Sequence, residues 1–550
     1  MDASTPPMDS FTDNNTPTTT TSSMNNTLFP LPPTHFLSQP RPSGIASPSS
    51  SNRVVVDTTT LAAHDFDVDP RTGFMPPHPP IARLGGVGGE NGAHGENGEY
   101  GKYGMYEAWE GILDEACAGA FRLGRDIGTE TGGKEERWRG RVRELPILCI
   151  TPLLDSEPHL RRAHHVLAWI LHFYIHTHES GTEEVRIPPP ITLPLLRVSR
   201  EMHLPPLLTY SDDVLYNWGL NPQNSSLRTL TSFTSTASES HFYLTSARIE
   251  LIGVRALGLM QDSLDELFVG DDIARTRITG FLGELAGVVG EMEGELGRMY
   301  GGCDVWVFYQ YIRPWFQGES EEKRWVFEGI EMDPELEYPK ELGGPSAGQS
   351  SLIHALDIFL GVHHTSDTDP DSSFLSRMQL YMPRHHRNFL SHLREQSRRR
   401  SLRAWVLESV ANAEGEANTP LLNANTPLLN ANTPLLNANT PLLSAYNSAV
   451  TALKKFRDAH IVLVARYIIG PAARVKTRGD SQSLGEGSYS KIKGEGEMKG
   501  EGEAKEEGED EEETKGEEKD REALKGTGGT HLARFLKSVR DNTRDAVIQI

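Results

Sequence analysis

A mainly α-helical chain, with a small N-terminal helical domain packed on a large one, is what this 550-residue sequence predicts. Three observations carry that expectation. Apolar residues recur at three- and four-residue intervals over residues 106–175, as in Trp109, Ile112 and Leu113 and then Val166, Trp169, Ile170 and Phe173. The same period returns in SHFYLTSARIELIGVRALGLM (residues 240–260) and over residues 350–362. Alternating strands with hairpin turns are scarce.

Taken in chain order, residues 1–55 are rich in Ser, Thr, Pro and Asn, cannot bury enough apolar surface to offset chain entropy, and are expected to be a disordered arm. Residues 56–185 form the expected small helical domain, with a glycine-rich connector at 84–104 and helix from about Tyr106. A proline-rich stretch, RIPPPITLPLLRV (residues 186–198), is expected to link it to the large domain, residues 196–550. Two insertions interrupt that domain. Between 418 and 444 the heptamer NTPLLNA repeats; a period of seven would suit a coiled coil, but Pro at every seventh position removes a backbone donor, so an extended surface loop is expected. Residues 481–522, rich in Gly, Glu and Lys, read as a disordered acidic loop.

Composition narrows the function. The formal charge is −22, and a large part of the excess falls in residues 481–522, which leaves the folded part only mildly acidic. That balance gives no basic footprint for nucleic acid and no attraction to anionic lipid. The most apolar run, HVLAWILHFYI (residues 165–175), is far shorter than a membrane span, and the N-terminus lacks the basic start and apolar core of a secretory signal. Cys117, Cys149 and Cys303 are widely spaced and odd in number, which suits a reducing compartment. A cytoplasmic monomer is expected.

The stretch richest in chemical information is YNSAVTALKKFRDAHIVLVARYII (residues 446–469), bounded by the repeat and by Gly470-Pro471. On a helix Leu453, Phe456, His460, Leu463 and Tyr467 share one stripe, which sets an imidazole in an apolar face. Such an imidazole is either a satisfied core residue or a metal ligand whose second nitrogen is held by a hydrogen bond. Gly344-Pro345-Ser346-Ala347-Gly348 matches the GxSxG of a hydrolase nucleophile elbow, which needs an apolar strand before the serine; PELEYPKELG precedes it instead, so a turn capping the helix near Ser350 is favoured. Arg313 lies in the aromatic run WVFYQYIRPWFQG, where its fork could hold a carboxylate or its stem could cover core aromatics. His172 and His176 are one helical turn apart, but no acidic partner completes a zinc site, so a solvated helix face is expected; RRRSLR (residues 398–403) reads as an exposed helix end.

Seven pieces in order resemble the indoleamine 2,3-dioxygenase family, with a fungal source suggested. They are LPPLLTYSDDVLYNW from Leu204, FYLTSARIE from Phe242, the Arg313 run, SAGQSSLIHALDIFLG from Ser346, YMPRHHRNFL from Tyr381, the His460 helix, and KGTGGTHLARFLKSVR from Lys525. The resemblance implies an all-helical haem b protein that inserts both atoms of O2 across the indole C2=C3 bond of L-tryptophan, giving N-formylkynurenine. By it, His460 would be the iron ligand and Arg313 would hold the substrate carboxylate. Phe308 and Tyr309 would line the indole pocket, Tyr210 and Ser246 would fall at distal positions, and Ser346, Ala347 and Gly348 would form the loop over the haem edge. Thr527, Gly528 and Gly529 would match a glycine-rich loop closing on the substrate ammonium. No side chain is expected to act as acid or base. Pro345 and the Tyr309 hydroxyl depart from the family pattern. The rival readings are a haem protein that binds oxygen without turnover and a serine hydrolase using Ser346. Arg313→Ala is expected to raise the Michaelis constant for the substrate far more than it lowers kcat; an unchanged constant removes Arg313 from the site.

Overall fold

The computed structural model describes residues 35, 38, 58–85, 101–124, 133–179, 181–364, 374–417, 434–479 and 532–549. Outside them lie nearly all of the expected arm, the expected acidic loop and Thr527, Gly528 and Gly529. The described residues are predominantly helical, as the sequence predicts.

Helix α1 (Glu107–Ala118) and helix α2 (Lys134–Glu144) flank helix α3 (Glu157–His176), which starts behind Ser156 with Pro158 in its first turn, where a missing N–H costs nothing. Helix α3 is buried on every side from Leu160 to His176. This burial corrects the reading of His172 and His176 as a solvated face. Each is instead a satisfied core histidine, with His172 Nδ1 2.7 Å from the Trp315 carbonyl and His176 Nε2 3.0 Å from that of Gln317.

Strand β1 (Glu184–Ile187) runs parallel to β4 (Arg324–Phe327), and β2 (Trp218–Leu220) pairs antiparallel with β3 (Leu227–Thr229). The proline-rich link is corrected too: Pro189–Met202 is helix α4. Pro189 and Pro190 occupy its first turn, and Ile191, Leu195 and Val198 face the core.

Helix α5 (Ala237–Val269) opens with a Thr236 cap accepting from the Glu239 N–H and ends at Gly270, whose φ of 71° suits glycine. Helix α6 (Asp272–Gly297), capped by Asp271, returns along it. Then follow α7 (Ser351–Leu360), α8 (Phe374–Gln379), α9 (Arg384–Arg399), α10 (Leu402–Ala417), α11 (Pro434–Val464), α12 (Gly470–Gly479) and α13 (Leu532–Asp545). Arg398 and Arg399 do lie at an exposed helix end.

Helix α11 overturns part of the repeat reading, because its first turns take in the last NTPLLNA copy. Leu442 and Tyr446 are fully buried and the Tyr446 hydroxyl donates to the Leu360 carbonyl at 2.7 Å. That burial outweighs the one backbone hydrogen bond that Pro441 forfeits. Nor does the helical path stop at Gly470-Pro471: a π-helical turn, Ala465–Ile469, carries it into α12. Two further π turns occur, at Ser211–Leu215 and Phe308–Ile312.

Two large apolar clusters hold the molecule. One joins α1 to α4 with Phe233, Phe308, Trp315, Phe316 and Tyr467; the other joins α5, α6, α7, α9 and α11 and receives Leu61, Val68 and Phe74 from the segment expected to open the small domain. Between them the chain before α7 is threaded so closely that a Cβ on Gly344 would collide with the backbone carbonyl oxygen of Phe316. Gly344→Ala is therefore expected to cost roughly 1–3 kcal/mol and to displace the following loop, read as a lowered thermal midpoint. An unchanged midpoint would mean that the loop is not held by that approach.

Candidate functional site

Five pieces of chain contribute to the wall of a cavity of about 1280 Å³, counting its open mouth. Helix α5 presents Phe242, Thr245, Ser246 and Ile249, one stripe at three- and four-residue spacing. Helix α11 presents Phe456, Arg457 and His460 from the opposite side. The loop 345–348 supplies Ser346, Ala347 and Gly348, and α13 supplies Phe535, Leu536 and Val539. Tyr210, Asp213 and Val214 enter from the π turn that follows Tyr210. Such turns add a residue to a helix and re-aim its side chains; one directly follows Tyr210 and another begins at Phe308.

His460 faces this space without a hydrogen bond to its ring among the described residues, and burial pushes its pKa down to about 4. It is neutral at neutral pH, with a nitrogen lone pair available. The expected hydrogen bond to its second nitrogen is not made. Arg457, whose charge also lowers the His460 pKa, is committed elsewhere: its Nη2 donates to both Asp357 carboxylate oxygens at 2.8 and 2.7 Å. The guanidinium also donates to Thr543 of α13, so the helix that closes the cavity is tied one turn from His460. His364 Nε2, 2.8 Å from Asp357, completes the cluster. Arg457 holds the Asp357 carboxyl well below the usual carboxylate range, against the opposing effect of burial.

On the facing side the Tyr210 hydroxyl donates to Glu250 Oε1 at 3.0 Å, and Ser350 Oγ donates to the same oxygen at 2.7 Å. Burial pushes the Glu250 carboxyl up to about 7, and Asp213, buried beside Asp212, is likewise held well above its ordinary value. The Tyr210 backbone N–H donates to Gln349 Oε1 at 2.8 Å, which fixes the loop 345–348 against that turn. Gly348 is fixed from behind by His354, whose Nε2 lies 2.9 Å from its carbonyl.

The structure thus brings together His460, Tyr210, Ser246, Ser346, Ala347 and Gly348. Phe308, Tyr309 and Arg313 are not in the wall: Phe308 packs behind it, 5.0 Å from Phe242 and 5.7 Å from Tyr467, and burial lowers the Arg313 pKa. Sequence reasoning missed Asp213 in the π turn, and Glu250 and His354 on helices α5 and α7. It also missed Phe535, Leu536 and Val539, whose helical spacing was readable. The hydrolase reading fails: no strand precedes Ser346, its backbone is extended rather than a strained elbow, and its hydroxyl accepts from the Gly348 N–H at 3.2 Å.

A bare metal ion would need three or more ligands, whereas His354 is engaged at both ring nitrogens and His460 stands alone among apolar groups. This donor set fits a flat metal complex that brings its own equatorial ligands. Among the described residues no helix is long and apolar enough to cross a membrane.

Comparison with known proteins follows this geometry. Residues 62–546 match the family described as indoleamine 2,3-dioxygenase. The chain is 31% identical over 428 residues to the indoleamine 2,3-dioxygenase of Saccharomyces cerevisiae, covering 74% of this chain and 83% of that one. It is 28% identical over 515 residues to indoleamine 2,3-dioxygenase acdA of Aspergillus candidus, covering 89% and 98%. It is 26% identical over 504 residues to the 6-hydroxytryptophan 2,3-dioxygenase fscD of Fusarium equiseti, covering 89% and 99%.

Asp357→Asn leaves a buried guanidinium without its counter-charge, a loss of roughly 3–5 kcal/mol. Because the folded pKa of Asp357 is depressed, its contribution is fully present above the unfolded value of about 3.9 and is lost as pH falls through the folded value. Thermal melts of the wild type should therefore weaken below about pH 4, and Asp357→Asn should melt lower at pH 7 with a shallower acid dependence. Equal midpoints at pH 7 would show that the pair contributes nothing.

Proposed function

The chain belongs to the indoleamine 2,3-dioxygenase family, a family of oxidoreductases, and from that premise we propose that it inserts O2 across the indole C2=C3 bond of L-tryptophan to give N-formylkynurenine, using haem b held by His460. The observation that carries the reading is the neutral His460 imidazole, set without a hydrogen bond of its own in a largely apolar cavity. When bound, the haem supplies the iron at which O2 is held and activated.

The remaining work falls to this chain's own residues. His460 offers a neutral nitrogen as the ligand, and the Arg457–Asp357 pair fixes the helix turn from which it projects. Ser346, Ala347 and Gly348 line the cavity, and by resemblance they would border the haem, where their small side chains would let a flat group approach the backbone. Phe242, Ile249 and Phe456 exclude water from the reacting atoms. Tyr210 and Ser246 bound the opposite wall, where Glu250 orients the Tyr210 hydroxyl. Arg313 with Phe308 and Tyr309, and Thr527 with Gly528, are assigned to the substrate by resemblance; Arg313, Phe308 and Tyr309 do not line this cavity. No side chain is assigned as acid or base, because the proximity of two bound reactants carries the step.

The relative named for 6-hydroxytryptophan makes ring substitution the natural specificity question. The test is an anaerobically reduced spectrum followed by O2 with L-tryptophan or 6-hydroxytryptophan, on wild type and His460→Ala. N-formylkynurenine from L-tryptophan in the wild type, with the Soret band and product both lost in the variant, is expected. A haem band without product overturns the assigned reaction, and product from 6-hydroxytryptophan alone overturns the assigned substrate.

A further inference from the structure

A second cavity, sharing no wall residue with the first, lies between residues 64–81, the start of α3 and the start of α9, and holds roughly 2190 Å³ counting its open mouth. Arg161 is buried in its wall at 3% exposure with its donors underused. The guanidinium reaches Glu157 Oε1 at 3.2 Å and Ser211 Oγ at a long 3.5 Å, and lies 4.5 Å from the Tyr216 ring centre. Its Nε has no hydrogen-bond partner among the described residues. His386, also 3% exposed, has an equally unpartnered Nδ1. An idle donor on a desolvated cation is costly unless an acceptor arrives.

The charges around the cavity leave room for such an acceptor. Arg162 is spent on Glu110 through two hydrogen bonds, and Asp69 is neutralised by Arg71. Glu157 is shared by Arg161, Arg384 at 3.8 Å and His385 at 3.3 Å, and Asp67 lies 3.2 Å from His385. Two guanidiniums and the His385 imidazole thus face two carboxylates. The atoms of Asp67, Glu157 and His385 are close enough to hold a metal ion, but the two arginines on Glu157 oppose a further cation. The other walls are flat and apolar: Phe74, Tyr216 and the prolines at 76, 77, 79 and 80.

We propose that this cavity is a second ligand site, for a small aromatic monocarboxylate whose carboxylate meets Arg161 and His386 and whose ring lies against Phe74, Tyr216 and the proline run. The ring supplies apolar burial, and the carboxylate accepts from Arg161 Nε and, in the tautomer that carries its hydrogen on Nδ1, from His386 as well. The site is separate from the cavity at His460, so its occupancy leaves the iron environment unchanged.

Calorimetric titration of the full haem-loaded chain with 2-naphthoate tests this, with the Soret band followed in parallel and 2-naphthamide as the uncharged control. One molar equivalent of 2-naphthoate should bind with no Soret shift, and the amide should bind at least about tenfold more weakly. Arg161→Lys, which keeps the charge but not the fork, and His386→Phe, which keeps the ring but not the donor, should each weaken binding about tenfold or more. Should Arg161→Lys fail to fold, His386→Phe decides alone. Absence of binding, a Soret shift that tracks occupancy, equal affinity for the amide, or binding untouched by His386→Phe would each overturn the proposal. So would tight binding of Zn2+ alone that is lost in His385→Ala.

Discussion

The ion pair between Arg457 and Asp357 is the constraint on which the cavity depends. It joins α11 to α7, and through Thr543 it also fastens α13, so three of the elements around His460 meet at one guanidinium. A buried pair of this kind contributes little net stability compared with apolar packing, but it is unforgiving of misplacement, because either partner alone is an uncompensated charge. Its effect is positional. The imidazole one turn away is held by a helix that cannot rotate without breaking three hydrogen bonds.

The opposite wall uses neutrality rather than charge. Glu250 and Asp213 are acids whose charged forms burial disfavours, which lessens the negative charge on that side of the cavity. Glu250 accepts from both Tyr210 and Ser350, which couples the π turn after Tyr210 to the start of α7. Irregular helix and buried acid belong together here, since the π turn brings Tyr210 within reach of Glu250.

Much of this was legible in the sequence. The helical period, the stripe through His460 and the loop around Ser346 follow from spacing and side-chain type. What was illegible depends on tertiary burial or on local backbone anomalies. The histidines of α3 look solvated when counted as polar, and only the carbonyls of Trp315 and Gln317, more than a hundred residues away, make them core residues. Pro441 looks like a helix stop until Leu442 and Tyr446 are seen to be buried. The three π turns have no sequence period at all, and the partner of Arg457 lies 100 residues off in a helix whose acid could as well have been exposed.

The two cavities differ in the way their charges are arranged, and that difference bears on what each can hold. Around His460 the imidazole is neutral, burial disfavours the charged forms of Glu250 and Asp213, and Arg457 is matched by its carboxylate, so little unmatched charge faces the space. In a low-dielectric pocket an unmatched charge would dominate the binding of any ligand. Matching it leaves shape, rather than charge, to select what this cavity holds. Around Arg161 a guanidinium donor and an imidazole nitrogen stand without partners among the described residues, which is the condition under which polar contacts, rather than shape alone, select the ligand.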